Sequence, residues 1–151
     1  LHRRRHSFPT RRSSDLACGG VLRYVLQYSG LGDLIGNAVA SANLPIVLVA
    51  FIVAALVRIC VGSATVAMTM AAGIIAAMPG ISELPPLYLA CVVAAVAGGS
   101  TVCSHFNDSG FWLVRSLVGV DEKTNLKTWT IMETLVGFSG FVVAFIISLF
   151  V

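Results

Sequence analysis

The chain has 151 residues, of which 57% are hydrophobic and 11% are charged, and its mean hydropathy is +0.90. Soluble domains carry about 25% charged residues, so the composition excludes an ordinary soluble domain and indicates an integral membrane protein. Five of the ten basic residues fall in the first sixteen positions, and the five basic and six acidic residues that follow leave a net charge of −1, so the basic excess does not indicate a nucleic-acid partner.

Residues 1–16 are polar and basic, and the sequence changes abruptly to apolar residues at Ala17. They lack the apolar run of about 7–15 residues that a signal peptide requires. Residues 6–16 instead resemble a translated short-read sequencing adapter, so residues 1–16 are excluded from the fold interpretation. We expect the natural protein to continue upstream, which makes residues 17–151 its C-terminal transmembrane part.

Residues 20–43 mix polar side chains and glycines with apolar residues, which is typical of a short interfacial or connecting helix. Residues 44–78 form a long apolar tract with a polar centre, and each apolar arm is shorter than the roughly 20 residues that span a bilayer. A re-entrant helical hairpin with its tip at residues 62–65 fits this pattern. The alternative is one long tilted helix, which would expose Arg58 to lipid at an energetic cost.

A second apolar arm at residues 86–102 leads into the polar run at residues 104–110. Small residues near the end of this arm, Gly98, Gly99 and Ser100, predict the unwound centre of a broken transmembrane helix. Secondary transporters build their midplane binding sites from such breaks. The alternative for these small residues is close packing between helices.

Residues 129–151 are predicted to form the clearest membrane-spanning helix, with Trp129 in the aromatic belt at its start. Three basic residues lie in the segment before this span, namely Arg115, Lys123 and Lys127. The positive-inside rule then predicts a cytoplasmic loop before the span and a periplasmic C-terminus.

The four cysteines, Cys18, Cys60, Cys91 and Cys103, show neither C-x-x-C spacing nor a zinc pattern. Three of them lie in apolar stretches, where a free cysteine behaves as a small buried hydrophobic residue. The sequence therefore predicts no metal site.

Two stretches in this order carry a resemblance to a known family. They are Arg58–Met68 (RICVGSATVAM) and Ser104–Val114 (SHFNDSGFWLV), with Lys127–Thr130 (KTWT) and Glu133–Thr134 (ET) downstream. On these motifs, residues 17–151 resemble the C-terminal part of the gluconate:proton symporter family, the gluconate permeases.

The resemblance implies an all-α integral membrane fold, namely the second half of an inverted-repeat secondary transporter with a re-entrant helical hairpin and a broken transmembrane helix. It implies proton-coupled uptake of gluconate or a related sugar acid across the bacterial inner membrane, and no enzymatic activity. The expected partners are the sugar acid, the lipid bilayer and the missing N-terminal part of the same transporter, with a homodimer left open. No cofactor is expected besides the coupling proton.

A sugar acid has one carboxylate and several hydroxyls, so its site needs donors for the anion. Gly62, Ser63 and Thr65 suit this task, because glycine admits the backbone, hydroxyls donate, and the following helix N-terminus attracts anions. The alternative for the hydroxyls is bonding to their own helix backbone. Arg58 would pair with the substrate carboxylate, form a structural ion pair with an acidic residue such as Asp108, or extend its charged end to the membrane interface.

Asn107 offers both a donor and an acceptor for substrate hydroxyls. Asp108 is the candidate for the coupling proton, because burial favours the neutral form of a carboxyl group. Its alternative role is the N-cap of the helix that begins near Phe111. Histidine is the side chain suited to proton exchange near neutral pH, so His105 is a candidate proton relay or a neutral hydrogen-bonding group beside Asp108.

Two other functions remain open at this point. A sodium-coupled carboxylate carrier of the same architecture would also use the hydroxyl and amide oxygens at the helix breaks. An intramembrane serine hydrolase would use Ser63 as nucleophile and His105 as base, but the chain has no G-x-S-x-G motif.

Overall fold

The structure is a computed structural model that describes residues 44–151, together with positions 17, 20, 21, 24, 25, 28–30 and 37. The adapter-like segment 1–16 lies outside the described residues. Most of the interfacial helix predicted at residues 20–43 lies outside them as well, so the architecture below is that of residues 44–151.

Five helices and one 3₁₀ turn make up the part of the chain from residue 44 onward. They are α1 (Ile46–Val61), α2 (Ala64–Ala76), the 3₁₀ turn (Ile81–Glu83), α3 (Pro86–Thr101), α4 (Ser109–Val118) and α5 (Glu122–Ser148). Every element in this range is helical, which confirms the all-α fold class. Helix α5 contains one π-helical turn at Leu126–Thr130 and then runs as a regular α-helix over Ile131–Ser148.

The break between α1 and α2 is two residues long. Helix α1 ends at Val61 and is capped by Gly62, whose φ of +77° lies in the left-handed region that glycine adopts without steric cost. Ser63 caps α2 by accepting a hydrogen bond from the Val66 backbone N–H at 3.5 Å. The predicted break is therefore present, and Thr65 lies in the first turn of α2 rather than in the break itself.

The second break lies further along the chain than the sequence predicts. Helix α3 continues without interruption through Gly98, Gly99 and Ser100 and ends at Thr101, and the chain is non-helical from residue 102 to residue 108. The left-handed residue in this break is Cys103, with φ +55°. The prediction of an unwound centre at residues 98–100 was therefore wrong.

The glycines of α3 allow close helix packing instead. A Cβ atom on Gly98 would lie 2.6 Å from the Gly137 carbonyl oxygen of α5, and one on Gly99 would lie 2.9 Å from the Ala54 Cβ of α1. Contacts under 3.0 Å are not tolerated, so glycine is required at both crossings. Ser100 is buried and donates to the Ala97 carbonyl of its own helix at 2.8 Å. The close-packing alternative is the one that the structure has.

Helix α3 packs between α1 and α5, and the core forms along these two contacts. Phe51 of α1 stacks on Phe141 of α5 with ring centroids 4.2 Å apart. Within the described residues, α5 is the helix that is long and apolar enough to cross a membrane, with a mean hydropathy of 2.0 over its most apolar stretch. It begins at Glu122, seven positions before the predicted start at Trp129.

Candidate functional site

The two helix breaks meet in space. A Cβ atom added to Gly62 would lie 2.7 Å from the backbone carbonyl carbon and from the Cγ of Asn107, so the second break packs directly onto the first. The Asn107 side chain donates from Nδ2 to the Ile59 carbonyl oxygen of α1 at 2.7 Å. We refer to Arg58, Gly62, Ser104, Asn107 and Asp108 as the junction site.

A buried ion pair crosses this junction. The Arg58 Nη2 atom donates to Asp108 Oδ2 at 2.5 Å, and the two side chains are 3% and 10% exposed. The Arg58 Nη1 atom donates to the Gly62 carbonyl oxygen at 2.6 Å. Because burying an unpaired charge is unfavourable by several kcal/mol, each partner makes the burial of the other possible.

Asp108 also caps helix α4. Its Oδ1 atom accepts a hydrogen bond from the Gly110 backbone N–H at 2.9 Å, and α4 begins at Ser109. Its Oδ2 atom accepts a second hydrogen bond, from the Ser104 hydroxyl. The predicted N-cap role is therefore present, and the Asp108 carboxylate accepts hydrogen bonds from three donors, Arg58, Ser104 and Gly110.

Helix α5 contacts the junction site through Ser104. The Trp129 Nε1 atom donates to the Ser104 hydroxyl oxygen at 2.9 Å, and the Thr130 hydroxyl donates to the Ser104 carbonyl oxygen. Both donors belong to the π-helical turn, and such turns are often found at functional sites. Thr134, one turn on, accepts a hydrogen bond from the Cys103 backbone N–H at 3.1 Å.

Two more titratable side chains lie close to the ion pair. The His105 Nδ1 atom lies 2.7 Å from the Cys103 carbonyl oxygen, so Nδ1 carries a hydrogen and Nε2 is the nitrogen that remains to exchange a proton. Glu133 of α5 is half-buried and interacts electrostatically with both Arg58 and Asp108. The ion pair and its surroundings therefore contain two carboxyl groups, one guanidinium group and one imidazole.

The structure brings together four of the residues that the sequence singled out, namely Arg58, Gly62, Asn107 and Asp108. Ser63 adjoins them as the cap of α2, and Thr65 is exposed in the first turn of that helix. Asn107 is also exposed, whereas the ion pair beneath it is buried. The arrangement offers accessible hydrogen-bonding groups above a buried cation and carboxylate.

Ser104, Trp129 and Thr130 were not predicted as site residues. The signal for Ser104 and Thr130 was present, because each is a polar residue beside a long apolar segment. Trp129 was predicted to lie in an interfacial aromatic belt, which stays a prediction, and its indole N–H donates to Ser104 of the junction site. Ser63 and His105 bond to Val66 and Cys103, so within the described residues the proposed nucleophile and base of a hydrolase gain no support.

Comparison with known proteins gives consistent matches over nearly the whole chain. The family model described as GntP family permease matches residues 16–150. The low-affinity gluconate transporter of Escherichia coli K12 is 44% identical over 133 residues, which are 87% of this chain and 29% of that protein. The gluconate permease of Pseudomonas aeruginosa is 40% identical over 134 residues, 89% of this chain and 29% of that protein.

A third relative has a different substrate in its name. The Gnt-II system L-idonate transporter of Escherichia coli K12 is 38% identical over 125 residues, 83% of this chain and 28% of that protein. No solved structure matches the chain. The chain spans less than a third of the length of these relatives.

The names of these relatives are those of permeases and transporters, which confirms that the family is one of membrane transporters and not of enzymes. The resemblance predicted from the two motifs is confirmed over the same stretch of sequence. Because the family model matches residues 16–150, the chain belongs to the GntP family of permeases.

Proposed function

We propose that this chain is the C-terminal transmembrane part of a bacterial inner-membrane symporter that takes up gluconate or a related sugar acid together with protons. The observation that carries the proposal is the buried Arg58–Asp108 pair at the meeting point of two helix breaks. Ionisable groups buried in transporter helices belong to substrate or proton pathways as a rule. The architecture proposed is the second inverted repeat, in which α1 and α2 form a re-entrant hairpin and α3 and α4 a broken helix.

The substrate proposal is supported by the names of the relatives, which include gluconate and L-idonate carriers. Both molecules are sugar acids, with one carboxylate and several hydroxyls. In the proposed site, Arg58 binds the carboxylate, assisted by Ser63 and Thr65 at the N-terminus of α2, where unpaired backbone N–H groups attract anions. The exposed Asn107 amide bonds the substrate hydroxyls with its remaining donor and acceptor.

The proposed coupling mechanism follows from Arg58, which is the common partner of the Asp108 carboxylate and of the substrate carboxylate. Arg58 is already bonded to Asp108 and to the Gly62 carbonyl, so it must leave Asp108 to bind a substrate carboxylate. A proton taken up by Asp108 makes this exchange favourable, because the neutral carboxyl no longer holds the guanidinium. The buried pair has zero net charge before the exchange (Arg58 with Asp108) and after it (Arg58 with substrate), so neither state buries an uncompensated charge. His105 is the proposed relay, through Nε2.

The function can be tested by uptake of labelled gluconate into membrane vesicles that contain the protein expressed from its complete gene. We expect an inward proton gradient to drive accumulation when sodium is absent. Accumulation that requires a sodium gradient would support the sodium-coupled carrier instead, and the absence of gluconate uptake would contradict the substrate class.

The coupling role can be tested with Asp108→Asn, which keeps the size of the side chain but cannot exchange a proton. We expect this variant to lose proton-driven accumulation and to retain insertion into the membrane. Asp121→Asn is the matched control, because Asp121 is exposed in the turn before α5 and should leave accumulation unchanged. Full uphill accumulation by Asp108→Asn would exclude Asp108 as the coupling residue.

A further inference from the structure

Ser104 is the polar side chain most completely enclosed by the junction site. It is 0% exposed, its hydroxyl donates to Asp108 Oδ2, and the same oxygen accepts a hydrogen bond from Trp129 Nε1 at 2.9 Å. The Thr130 hydroxyl fixes its backbone by donating to its carbonyl oxygen. Ser104 is thus held from α5 on one side and contacts the proposed proton acceptor on the other.

The chemistry of a hydroxyl group makes this position informative. A serine hydroxyl has one hydrogen to donate and two lone pairs to accept with. In the present arrangement it uses the hydrogen for Asp108 and one lone pair for Trp129, so one lone pair remains. Rotation of the hydroxyl therefore lets the same oxygen accept a hydrogen bond from a protonated Asp108 without losing Trp129.

The other two groups that bond the Asp108 carboxylate, the Gly110 N–H and the Arg58 guanidinium, cannot change from donor to acceptor. The Gly110 N–H can only donate, and Arg58 can only donate, so neither can accept a hydrogen bond from a neutral carboxyl group. Among the described residues that bond the Asp108 carboxylate, Ser104 is thus the one that can bond both of its protonation states.

We propose that Ser104 is a positioning residue that stabilises the protonated form of Asp108 after Arg58 has moved to the substrate. The proposal rests on the function proposed above and deepens it. The proton comes from the aqueous side and binds to Asp108 Oδ2. It is then donated in a hydrogen bond to the Ser104 oxygen, while the hydroxyl hydrogen of Ser104 turns away from Asp108 towards an oxygen of the bound sugar acid.

Other charged and titratable groups lie on the elements that surround Asp108. They are Arg58 on α1, Glu133 on α5, and His105 and Cys103 in the same break. None of them is altered in a Ser104 variant, so a change in the pH dependence of such a variant reports on the hydroxyl.

The test is the pH profile of proton-driven gluconate uptake by the complete transporter carrying Ser104→Ala. The variant removes one donor from the carboxylate and the acceptor from the neutral carboxyl. The carboxylate keeps Arg58 and Gly110 as donors, whereas the neutral carboxyl is left with a buried O–H group that has no acceptor among the groups that bond it, so protonation becomes less favourable. We expect half-maximal uptake to move to lower pH by up to about one unit, because the bond that the carboxylate loses offsets part of the effect. Ser100→Ala is the matched control, because Ser100 is equally buried and its hydroxyl donates to the Ala97 carbonyl of its own helix.

A profile for Ser104→Ala that coincides with those of the wild type and of Ser100→Ala overturns the proposal. If Ser104→Ala fails to insert, Trp129→Phe serves as the second variant, since it removes the indole N–H that orients Ser104 and keeps an aromatic ring. We expect a smaller shift in the same direction, and an unshifted profile in that variant overturns the proposal. Failure of wild-type vesicles to accumulate gluconate under a proton gradient would instead contradict the proposed function.

Discussion

Arg58 takes part in one of two ion pairs in the described residues, and the two pairs differ in burial more than in length. Arg58 and Asp108 are 2.5 Å apart and 3% and 10% exposed, whereas Arg115 and Glu122 are 2.7 Å apart and 38% and 46% exposed. Water screens the second pair and not the first. The Arg58–Asp108 contact is therefore required for both charges to be buried, whereas the Arg115–Glu122 contact contributes little to the free energy of unfolding.

This difference predicts unequal effects of the two arginines on stability. Arg58→Met leaves Asp108 as an unpaired buried charge and is expected to destabilise the complete protein by about 3–5 kcal/mol. Arg115→Met removes an exposed pair and is expected to cost about 1 kcal/mol or less. Unfolding in detergent micelles measures both. Equal losses of stability in the two variants would mean that the junction site is hydrated. The double variant Arg58→Met with Asp108→Leu should recover most of the stability that Arg58→Met loses.

Gly62 provides a second contrast, because it shares its left-handed backbone conformation with Gly80. Gly62 is the C-cap of α1 and Gly80 is the N-cap of the 3₁₀ turn, and their φ angles are +77° and +78°. A Cβ on Gly62 would collide with Asn107, whereas nothing lies within 4 Å of one on Gly80. Backbone strain is therefore common to both positions, and the contact between the two breaks is particular to Gly62.

We expect Gly80→Ala to destabilise the protein by about 1–2 kcal/mol through strain alone. Gly62→Ala adds the collision, for which overpacking supplies roughly 1–3 kcal/mol more, and it should also reduce gluconate uptake because it displaces Asn107. Thermal unfolding and uptake are measured side by side. Matching losses for the two variants would show that the breaks separate easily.

The residues of the junction site were predictable to different degrees. Arg58 and Asp108 stand out in sequence because ionisable residues are rare in apolar tracts. Whether Arg58 pairs with Asp108 or with substrate was left open, since spacing along the chain does not give distance in space. Ser104 escaped prediction because its importance depends on Trp129, which lies 25 positions away.

Helix α3 shows why the second break was predicted at the wrong position. Consecutive glycines are compatible with an unwound helix or with a close helix crossing, and the sequence of one helix does not show which partner faces it. The partners are Ala54 and Phe51 on α1 and Gly137 on α5. The break that the structure has contains Cys103 in the left-handed backbone conformation. Sequence patterns assign that conformation to glycine or asparagine.

The crossing of α3 and α5 can be tested with two glycines of α5. A Cβ on Gly137 would lie 2.9 Å from Val102 Cγ1 and closer still to the Gly98 carbonyl oxygen, whereas one on Gly140 meets nothing within 4 Å. Gly137→Ala is expected to destabilise the protein by about 1–3 kcal/mol by forcing the helices apart. Gly140→Ala should be neutral or stabilise by up to about 1 kcal/mol through helix propensity. Detergent unfolding distinguishes them, and a neutral Gly137→Ala would contradict the crossing.

At the scale of the whole molecule, composition and the lengths of the apolar tracts predicted an all-helical membrane chain, and the two motifs predicted its family. The arms of the first tract are α1 and α2, and the final span is α5. The hairpin's position in the bilayer and the orientation of the chain depend on lipid and on the rest of the transporter, so both stay predictions.

Orientation is the last of these predictions, and α5 makes it testable. Its 27 residues measure about 40 Å at 1.5 Å per residue, against a hydrocarbon core of about 30 Å, so its basic first turns extend beyond the core. The positive-inside rule then predicts that Lys123 faces the cytoplasm and Phe150 the periplasm. In a complete transporter whose native cysteines are replaced, Lys123→Cys should resist a membrane-impermeant thiol reagent applied to intact cells and Phe150→Cys should react. The reverse labelling pattern would invert the proposed topology.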